Sequence, residues 1–161
     1  MNLLRLCERA FDAVPYSLVA LFVRIVAAHP FFASGQTKIE GPQIGATILG
    51  QELSFTLPTS IKESTFALFA QEYKVPLLSP QIAAYLTTAV ECTLPILLVL
   101  GLLTRLSALG LLAMTLVIQF FVYPDAWWTV HAYWAALLLV LIARGPGALA
   151  LDQLFCRGGD R

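Results

Sequence analysis

The sequence predicts an all-α integral membrane protein: a bundle of four transmembrane helices with an amphipathic helix in an outer loop. Of the 161 residues, 58% are hydrophobic and only 12% are charged, whereas a soluble domain is usually about half apolar and a quarter charged. Four apolar segments reach the length that crosses a bilayer. Their apolar residues run continuously instead of alternating, which favours helices over a closed barrel.

The four segments cover residues 15–34, 81–101, 104–123 and 127–143. The last segment is short but still long enough to span a bilayer. Arg5 and Arg9 precede the first segment, as in a signal peptide, but Arg24 interrupts its apolar run and three more spans follow. We therefore interpret it as a retained helix. The length of the chain fits one membrane domain over residues 1–161.

Basic residues beside the segments predict the orientation, because they concentrate on the cytoplasmic side. Those on one side are Arg5, Arg9, Arg105, Arg144, Arg157 and Arg161. Those on the other side, all within the loop of residues 35–80, are Lys38, Lys62 and Lys74. Both termini are therefore expected in the cytoplasm and the long loop outside. Tyr123, Trp127 and Trp128 then fall in the outer interfacial belt of aromatic residues.

One part of the outer loop, PTSIKESTFALFAQEY, has helical periodicity. Ser60 and Glu63 match a capping box. The residues that recur at helical spacing are Ile61, Thr65, Leu68, Phe69 and Tyr73. The pattern predicts an amphipathic helix over residues 60–73 that lies on the outer membrane face or across the mouth of the bundle. It can be a plain cover or part of a functional site.

Composition and cysteine spacing exclude several classes of protein. The chain has ten basic and ten acidic residues, and this balance disfavours a nucleic-acid partner. Cys7, Cys92 and Cys156 form no CxxC pair, which indicates free thiols and not a dithiol or zinc site. Motifs for flavin, haem or iron–sulfur clusters are also absent from the sequence, so we expect no intrinsic cofactor.

Glu91 stands alone within an apolar run, where a charged side chain costs roughly 2.5–3.5 kcal/mol on the insertion scale. Arg24 interrupts the first span in the same way. Each lies ten residues, or about 15 Å, from the outer end of its segment. We therefore predict that Arg24 and Glu91 form an ion pair in the bundle core. Such a pair can be functional or can only fix the register of two helices.

A second polar layer is predicted nearer the outer face. His29, Gln119 and His131 each lie about five residues inside the outer boundary, on three different helices, and Trp134 follows His131 on its own helix face. His29 points about 140° away from Arg24 around the helix at 100° per residue. The layer can hold a ligand such as a quinone head group, which would need a cavity of roughly 300 Å³ or more, or can be a closely packed structural layer. Two histidines alone are a weak metal signal, so no metal site is expected.

Several spaced motifs give the chain a family resemblance. They are an arginine in the first helix (Arg24), the exit Ser34-Gly35-x-x-Lys38, the lone acid Glu91, GLLTRL at residues 101–106, GPG at residues 145–147, and Leu151-Asp152. In this combination the chain resembles the DoxX family of small four-helix bacterial membrane proteins. The resemblance covers about residues 16–152.

The resemblance implies a multi-pass protein of the bacterial inner membrane, associated with electron transfer or with oxidative or metal stress defence. Members include membrane subunits linked to thiosulfate:quinone oxidoreductase, so the implied partners are other membrane or redox subunits and a quinone that carries the electrons. Two alternatives stay open: a transport or export partner for a small molecule, metal or peptide, and a non-catalytic scaffold. Enzymatic activity is undecided. Four helices leave little room for a pathway, so transport would favour a homo-oligomer.

Overall fold

The computed structural model describes residues 13–48, 51–73, 75–76 and 78–153. Its α-helices are α1 (Tyr16–Lys38), α2 (Glu63–Gln71), α3 (Pro80–Leu100), α4 (Thr104–Phe121) and α5 (Ala132–Arg144). Its strands, all between α1 and α2, are β1 (Ile39–Glu40), β2 (Gln43–Ile48), β3 (Gln51–Thr56) and β4 (Ser60–Ile61). Several residues used above lie outside the described residues, namely Arg5, Cys7, Arg9, Lys74, Cys156, Arg157 and Arg161.

The four predicted membrane spans are confirmed. The helical spans that are long and apolar enough to cross a bilayer are Tyr16–Lys38, Pro80–Leu100, Thr104–Phe121 and Pro124–Arg144. The last span begins with a 3-10 turn (Pro124–Ala126) and a π-helical turn (Trp127–His131) before α5. We call the side of the bundle that carries residues 39–79 the loop side. The opposite side, with the turn at residues 101–103, is the turn side.

Small residues bring α1 close to its neighbours in the bundle core. Ala27 and Ala28 are buried beside Leu98, Leu111 and Leu138. Nearer the loop side, a Cβ atom added to Gly35 would lie 3.1 Å from the backbone of Glu91, so the two helix backbones nearly touch there. Close approach at small residues is a usual way for membrane helices to associate, because lipid removes the hydrophobic drive between them.

Large apolar side chains cover the outside of the bundle. Among the described residues, Phe22, Leu106 and Phe120 each expose about two thirds of their surface. A monomeric soluble protein rarely exposes apolar patches of this extent. These side chains therefore face lipid, as the composition predicts.

The strands between α1 and α2 were not predicted from the sequence. β2 and β3 form an antiparallel hairpin in which Gln43 pairs with Thr56 and Ile48 with Gln51. β1 pairs with β4 through Ile39 and Ile61. This second ladder ties the end of α1 to the start of α2, and it places α2 over the loop side of the bundle.

The amphipathic helix is present as α2, but its predicted start is wrong. Thr65 and Phe69 are buried as the periodicity predicts, and Phe69 packs against Ala83 and Ala84 of α3. The capping box does not form, because Ser60 belongs to the ladder of β4. Lys62 occupies the N-cap position and makes no side-chain capping bond there.

Candidate functional site

The lone acid Glu91 pairs with Lys38. The Lys38 ammonium lies 2.6 Å from Glu91 Oε2, and the two side chains are only 8% and 4% exposed. Ser34 Oγ donates to Glu91 Oε1 at 3.1 Å and accepts from Lys38 Nζ at 2.7 Å. The three side chains form a closed hydrogen-bonded triangle, which satisfies the buried carboxylate and ammonium without water.

The predicted ion pair of Arg24 with Glu91 is wrong. The prediction placed Arg24 and Glu91 at one depth by assuming that the outer ends of α1 and α3 lie at the same level. Instead α1 ends beside the middle of α3, since a Cβ at Gly35 would contact Glu91 and Cys92. The first turns of α3 pack against α2, where Phe69 contacts Ala83 and Ala84. Lys38, near the end of α1, is therefore the basic residue at the level of Glu91.

Arg24 lies at the turn side, where it is completely buried. Its Nη1 donates to the carbonyl of Val99 at 2.9 Å, and its Nη2 donates to the carbonyl of Leu149. These bonds join α1 to the end of α3 and to the segment that follows α5. Arg24 Nε has no partner among the described residues.

Asp152 completes this turn-side cluster by capping α4. Its carboxylate accepts from the Leu103 amide at 2.7 Å, the Thr104 amide at 2.9 Å and the Thr104 hydroxyl at 2.8 Å. Burial alone would raise the pKa of Asp152. The hydrogen bonds from Thr104 and Leu103, together with the charge of Arg24, outweigh burial and hold that pKa below its usual value. The GLLTRL and Leu-Asp motifs of the sequence are thus two halves of one helix cap.

His131 and Gln119 form the expected loop-side contact. His131 Nδ1 lies 2.6 Å from Gln119 Oε1. Gln119 Nε2 donates to the carbonyl of Pro124 at 2.5 Å, so Oε1 is the acceptor and the proton sits on His131 Nδ1. The Nε2 atom of a neutral His131 then carries the lone pair. Trp134 packs on His131 with ring centroids 5.3 Å apart.

His29 does not join this layer, so that part of the prediction is wrong. Its side chain is exposed on the outside of α1. It borders a separate groove of about 310 Å³ between α1 and α3, together with Pro95 and Ile96. His29 therefore faces away from the bundle core, as its angle of about 140° from Arg24 around α1 indicates, although it was predicted at the same depth as Gln119 and His131.

The ion pair and the histidine meet in one cavity of about 160 Å³, which we call the Glu91 cavity. Its polar walls are Ser34, Lys38, Thr87, Glu91, Tyr73, Tyr123 and His131. Trp134 and Phe69 supply aromatic walls, and Val117 of α4, which is 39% exposed to the lipid, borders it as well. The cavity thus extends from a buried charge pair to the lipid face between α3 and α4.

The α2 region closes the loop side of the cavity through a tyrosine pair. The hydroxyls of Tyr73 and Tyr123 lie 3.2 Å apart, and their rings meet edge to face at 6.0 Å. Burial and the hydrogen bond with Tyr123 raise the pKa of Tyr73 well above its usual value. Tyr73 therefore stays protonated and keeps this contact at neutral pH.

A family model described as DoxX matches residues 19–124, more than half of the chain. The chain belongs to the DoxX family. The matched region of this DoxX protein contains Arg24, Lys38, Glu91 and Gln119 and ends before His131 and Asp152. No curated protein and no solved structure matches the chain.

Lys38, Ser34, Tyr73 and Tyr123 are site residues of this DoxX protein that sequence reasoning did not assign to the site. A signal for two of them was present, because Ser34 and Lys38 already belonged to the exit motif of α1. Their spacing of four residues places both side chains on one helix face. The sequence around Tyr73 and Tyr123 gives no sign that they contact each other, because the end of α2 and the turn after α4 are far apart in the chain and meet only in the folded protein.

The part of this DoxX protein that the structure describes contains no group of three His, Cys, Asp or Glu residues able to hold a metal ion. Its Glu91 cavity instead offers one ammonium group, one imidazole and one carboxylate within aromatic walls. Such a set can bind a small polar ring and exchange protons with it.

Proposed function

We propose that this DoxX protein is a membrane subunit linked to electron transfer, and that the Glu91 cavity binds the head group of a quinone. The observation that carries the proposal is the cavity itself. Within one cavity, Lys38, Glu91 and His131 share walls with Trp134, and the lining reaches Val117 on the lipid face. A lipid-soluble molecule with a polar ring is the kind of ligand that such a lining fits.

The Glu91 cavity is smaller than the roughly 300 Å³ expected for a complete ligand site, and its volume limits the proposed ligand to a head group of one ring. A cavity of about 150 Å³ accommodates one benzene molecule, and the Glu91 cavity measures about 160 Å³. A single-ring benzoquinone head group fits this space when its substituents point to the opening beside Val117. A fused two-ring head group would require the α2 region to move.

The polar side chains support hydrogen bonding to both quinone oxygens. Lys38 Nζ carries three protons that it now directs at Glu91 and Ser34, and a turn of the side chain would redirect one of them. His131 presents Nε2, which accepts from a hydroxyl when neutral and donates to a carbonyl when protonated. A bound quinone would accept electrons from a redox partner, while Glu91 and His131 exchange protons with it.

The orientation belongs to the same proposal. We place the protein in a bacterial inner membrane with its turn side in the cytoplasm, because Arg105 and Arg144 lie on that side. Tyr123 and Trp128, which are 50% and 79% exposed, then anchor the loop side at the outer interface.

Tryptophan fluorescence tests the quinone site, because Trp134 borders the cavity and Trp128 does not. Titration of the purified protein with a short-chain benzoquinone should give saturable quenching. Trp134→Phe should remove the saturable component, whereas the matched variant Trp128→Phe should keep it. Lys38→Met and His131→Phe should weaken binding several-fold. Quenching that never saturates, or that Trp128→Phe removes, would refute the quinone site.

Transport is the second candidate, and the buried pair of Lys38 with Glu91 favours it. Ionisable groups inside membrane proteins mark proton and substrate pathways. Proton-coupled flux of a solute in proteoliposomes that Glu91→Gln abolishes, without any quinone binding, would replace the electron-transfer proposal with this one.

A further inference from the structure

A recess of about 600 Å³ lies between α3 and the short ladder of β1 and β4. Its walls include Ala89, Cys92 and Thr93 on α3, and Thr59 and Ser60 on the ladder side. All of these except the half-buried Cys92 are exposed, so the recess is open at the surface. We call it the ladder recess. Among the described residues, it shares no wall with the Glu91 cavity.

The inner end of the ladder recess lies close to the middle of the membrane. Cys92 is twelve residues, about 18 Å, inside the loop-side end of α3 at Pro80. A count from α4 uses Thr87, which borders the Glu91 cavity with Ile118, three residues before the end of α4. Cys92 lies five residues beyond Thr87, hence eight residues or about 12 Å inside that end. A hydrocarbon core is about 30 Å thick, so both counts place Cys92 within a few Å of its middle.

The ladder itself lies within the depth of the membrane. β1 begins at Ile39, four residues or about 6 Å after Gly35, and Gly35 is level with Glu91 and Cys92. The ladder is therefore about 6–12 Å inside the loop-side boundary on the two counts. It has two strands, so the outer edge of each strand lacks a neighbouring strand in the described part of the chain. Strand edges of this kind do not occur in contact with lipid.

The side chains of the ladder are polar on its outer face. Ile39, which pairs with Ile61, is only 2% exposed. Glu40 and Ser60 also pair, and both are exposed on the opposite face, because successive side chains of a strand alternate. Glu40 has no ion-pair partner among the described residues. Non-helical backbone and charge are tolerated at membrane depth where protein buries them or where water is present. Since these residues are exposed, water is what surrounds them.

We propose that the ladder recess is a water-filled vestibule, which admits water and small water-soluble molecules from the loop side to the middle of the membrane. The exposed hydroxyls of Thr59, Ser60 and Thr93 line it. The Thr93 hydroxyl donates to the carbonyl of Ala89 at 2.7 Å, and its oxygen can still accept from water. The vestibule goes beyond the quinone site, because polar solutes reach it from the aqueous phase and a quinone reaches the Glu91 cavity from lipid.

Cysteine labelling in lipid nanodiscs tests the vestibule, because a charged thiol reagent reacts only where water reaches the thiol. Each variant keeps one cysteine: the native Cys92, Thr93→Cys, or the control Ala113→Cys. Ala113 is exposed on α4, eight residues or about 12 Å before its loop-side end, and therefore faces lipid at the depth of Cys92. A cationic methanethiosulfonate should label Cys92 and Thr93→Cys at least about tenfold faster than Ala113→Cys, since hydrocarbon excludes charge. Mass spectrometry of the intact protein measures the rates.

A neutral, lipid-soluble maleimide should label both Thr93→Cys and Ala113→Cys, which shows that both thiols are free to react. Ala89 lies one helical turn from Thr93 towards the loop side, so Ala89→Trp should narrow the vestibule. We expect it to slow the cationic reagent at Thr93→Cys several-fold and to leave Ala113→Cys unchanged.

Equal rates of the cationic reagent at Thr93→Cys and Ala113→Cys would overturn the proposal, because the recess would then hold lipid. A rate at Thr93→Cys that Ala89→Trp does not change would overturn it as well. The result is independent of the quinone site. Positions 92, 93 and 113 do not border the Glu91 cavity, so these variants should keep the saturable quenching of Trp134.

Discussion

Removing one member of the Lys38/Glu91 pair should destabilise the protein strongly. The two charges lie 2.6 Å apart and are almost completely buried. At an effective dielectric constant of 20, their attraction is about 6 kcal/mol before desolvation is counted. Desolvation offsets much of this gain, but a single substitution leaves the remaining charge buried and unpaired. We therefore expect Lys38→Met and Glu91→Gln each to lower the free energy of unfolding by about 3–5 kcal/mol.

A double-mutant cycle measures the coupling within the pair. Unfolding of the wild-type protein, both single variants and the double variant is followed by circular dichroism in mild detergent during denaturant titration. The double variant no longer carries an unpaired charge, so its loss should be well below the sum of the single losses. Losses that simply add would refute the pairing.

Two further variants act as controls for this cycle. The Lys62 ammonium donates to the carbonyl of Thr37 in an exposed position, and Lys62→Met should cost no more than about 1.5 kcal/mol. Arg24→Gln should be destabilising because Arg24 is buried, but its effect should add to that of Glu91→Gln. Coupling between Arg24 and Glu91 would show that they form the pair.

Three further predictions concern the rest of the bundle. The pKa of Asp152 is lowered in the folded state, so its stabilising contribution is complete above the unfolded value of about 3.9 and is lost as the pH falls through the folded value. Asp152→Asn should therefore lower the melting temperature at pH 7, and the melting temperature of this variant should fall less between pH 5 and pH 2 than that of the wild-type protein. Thermal scans that show the same acid dependence for both proteins would contradict this. Gly35→Val should separate α1 from α3 and lower the melting temperature, since even a Cβ would lie 3.1 Å from the backbone of Glu91, whereas Gly45→Val in the exposed strand β2 should have little effect. In a cysteine-free background, an impermeant maleimide applied from the periplasm should label position 62 and spare positions 5 and 157, and the reverse pattern would invert the proposed orientation.

Hydropathy predicted the spans because each one carries its signal within a single run of the sequence. The pairing of residues between helices was harder, since it depends on where each helix ends. The exit at Ser34 placed the end of α1 too early, and Lys38 was assigned to the loop although α1 includes it and its side chain is buried. For this reason the sequence predicted Arg24 as the partner of Glu91, whereas the partner in the structure is Lys38.

The hairpin of β2 and β3 had a recognisable signal in its β-branched and aromatic residues, such as Ile44, Thr47 and Phe55. The cap of α4 had no local signal, because Asp152 reaches Thr104 from 48 residues further along the chain. Residue spacing along one helix cannot reveal such a contact.

The bond from Arg24 to the carbonyl of Leu149 joins residues 125 positions apart, and this separation has a consequence for biosynthesis. At 5–20 residues per second, a ribosome needs about 6 to 25 s to make the chain between them. During that interval the Arg24 guanidinium lacks the carbonyl of Leu149, and it can bond the carbonyl of Val99 only after residue 99 has been made. The insertion machinery, its lipid surroundings or water must shelter this charge until the segment after α5 emerges. Ribosome pausing within residues 145–149 would prolong this interval.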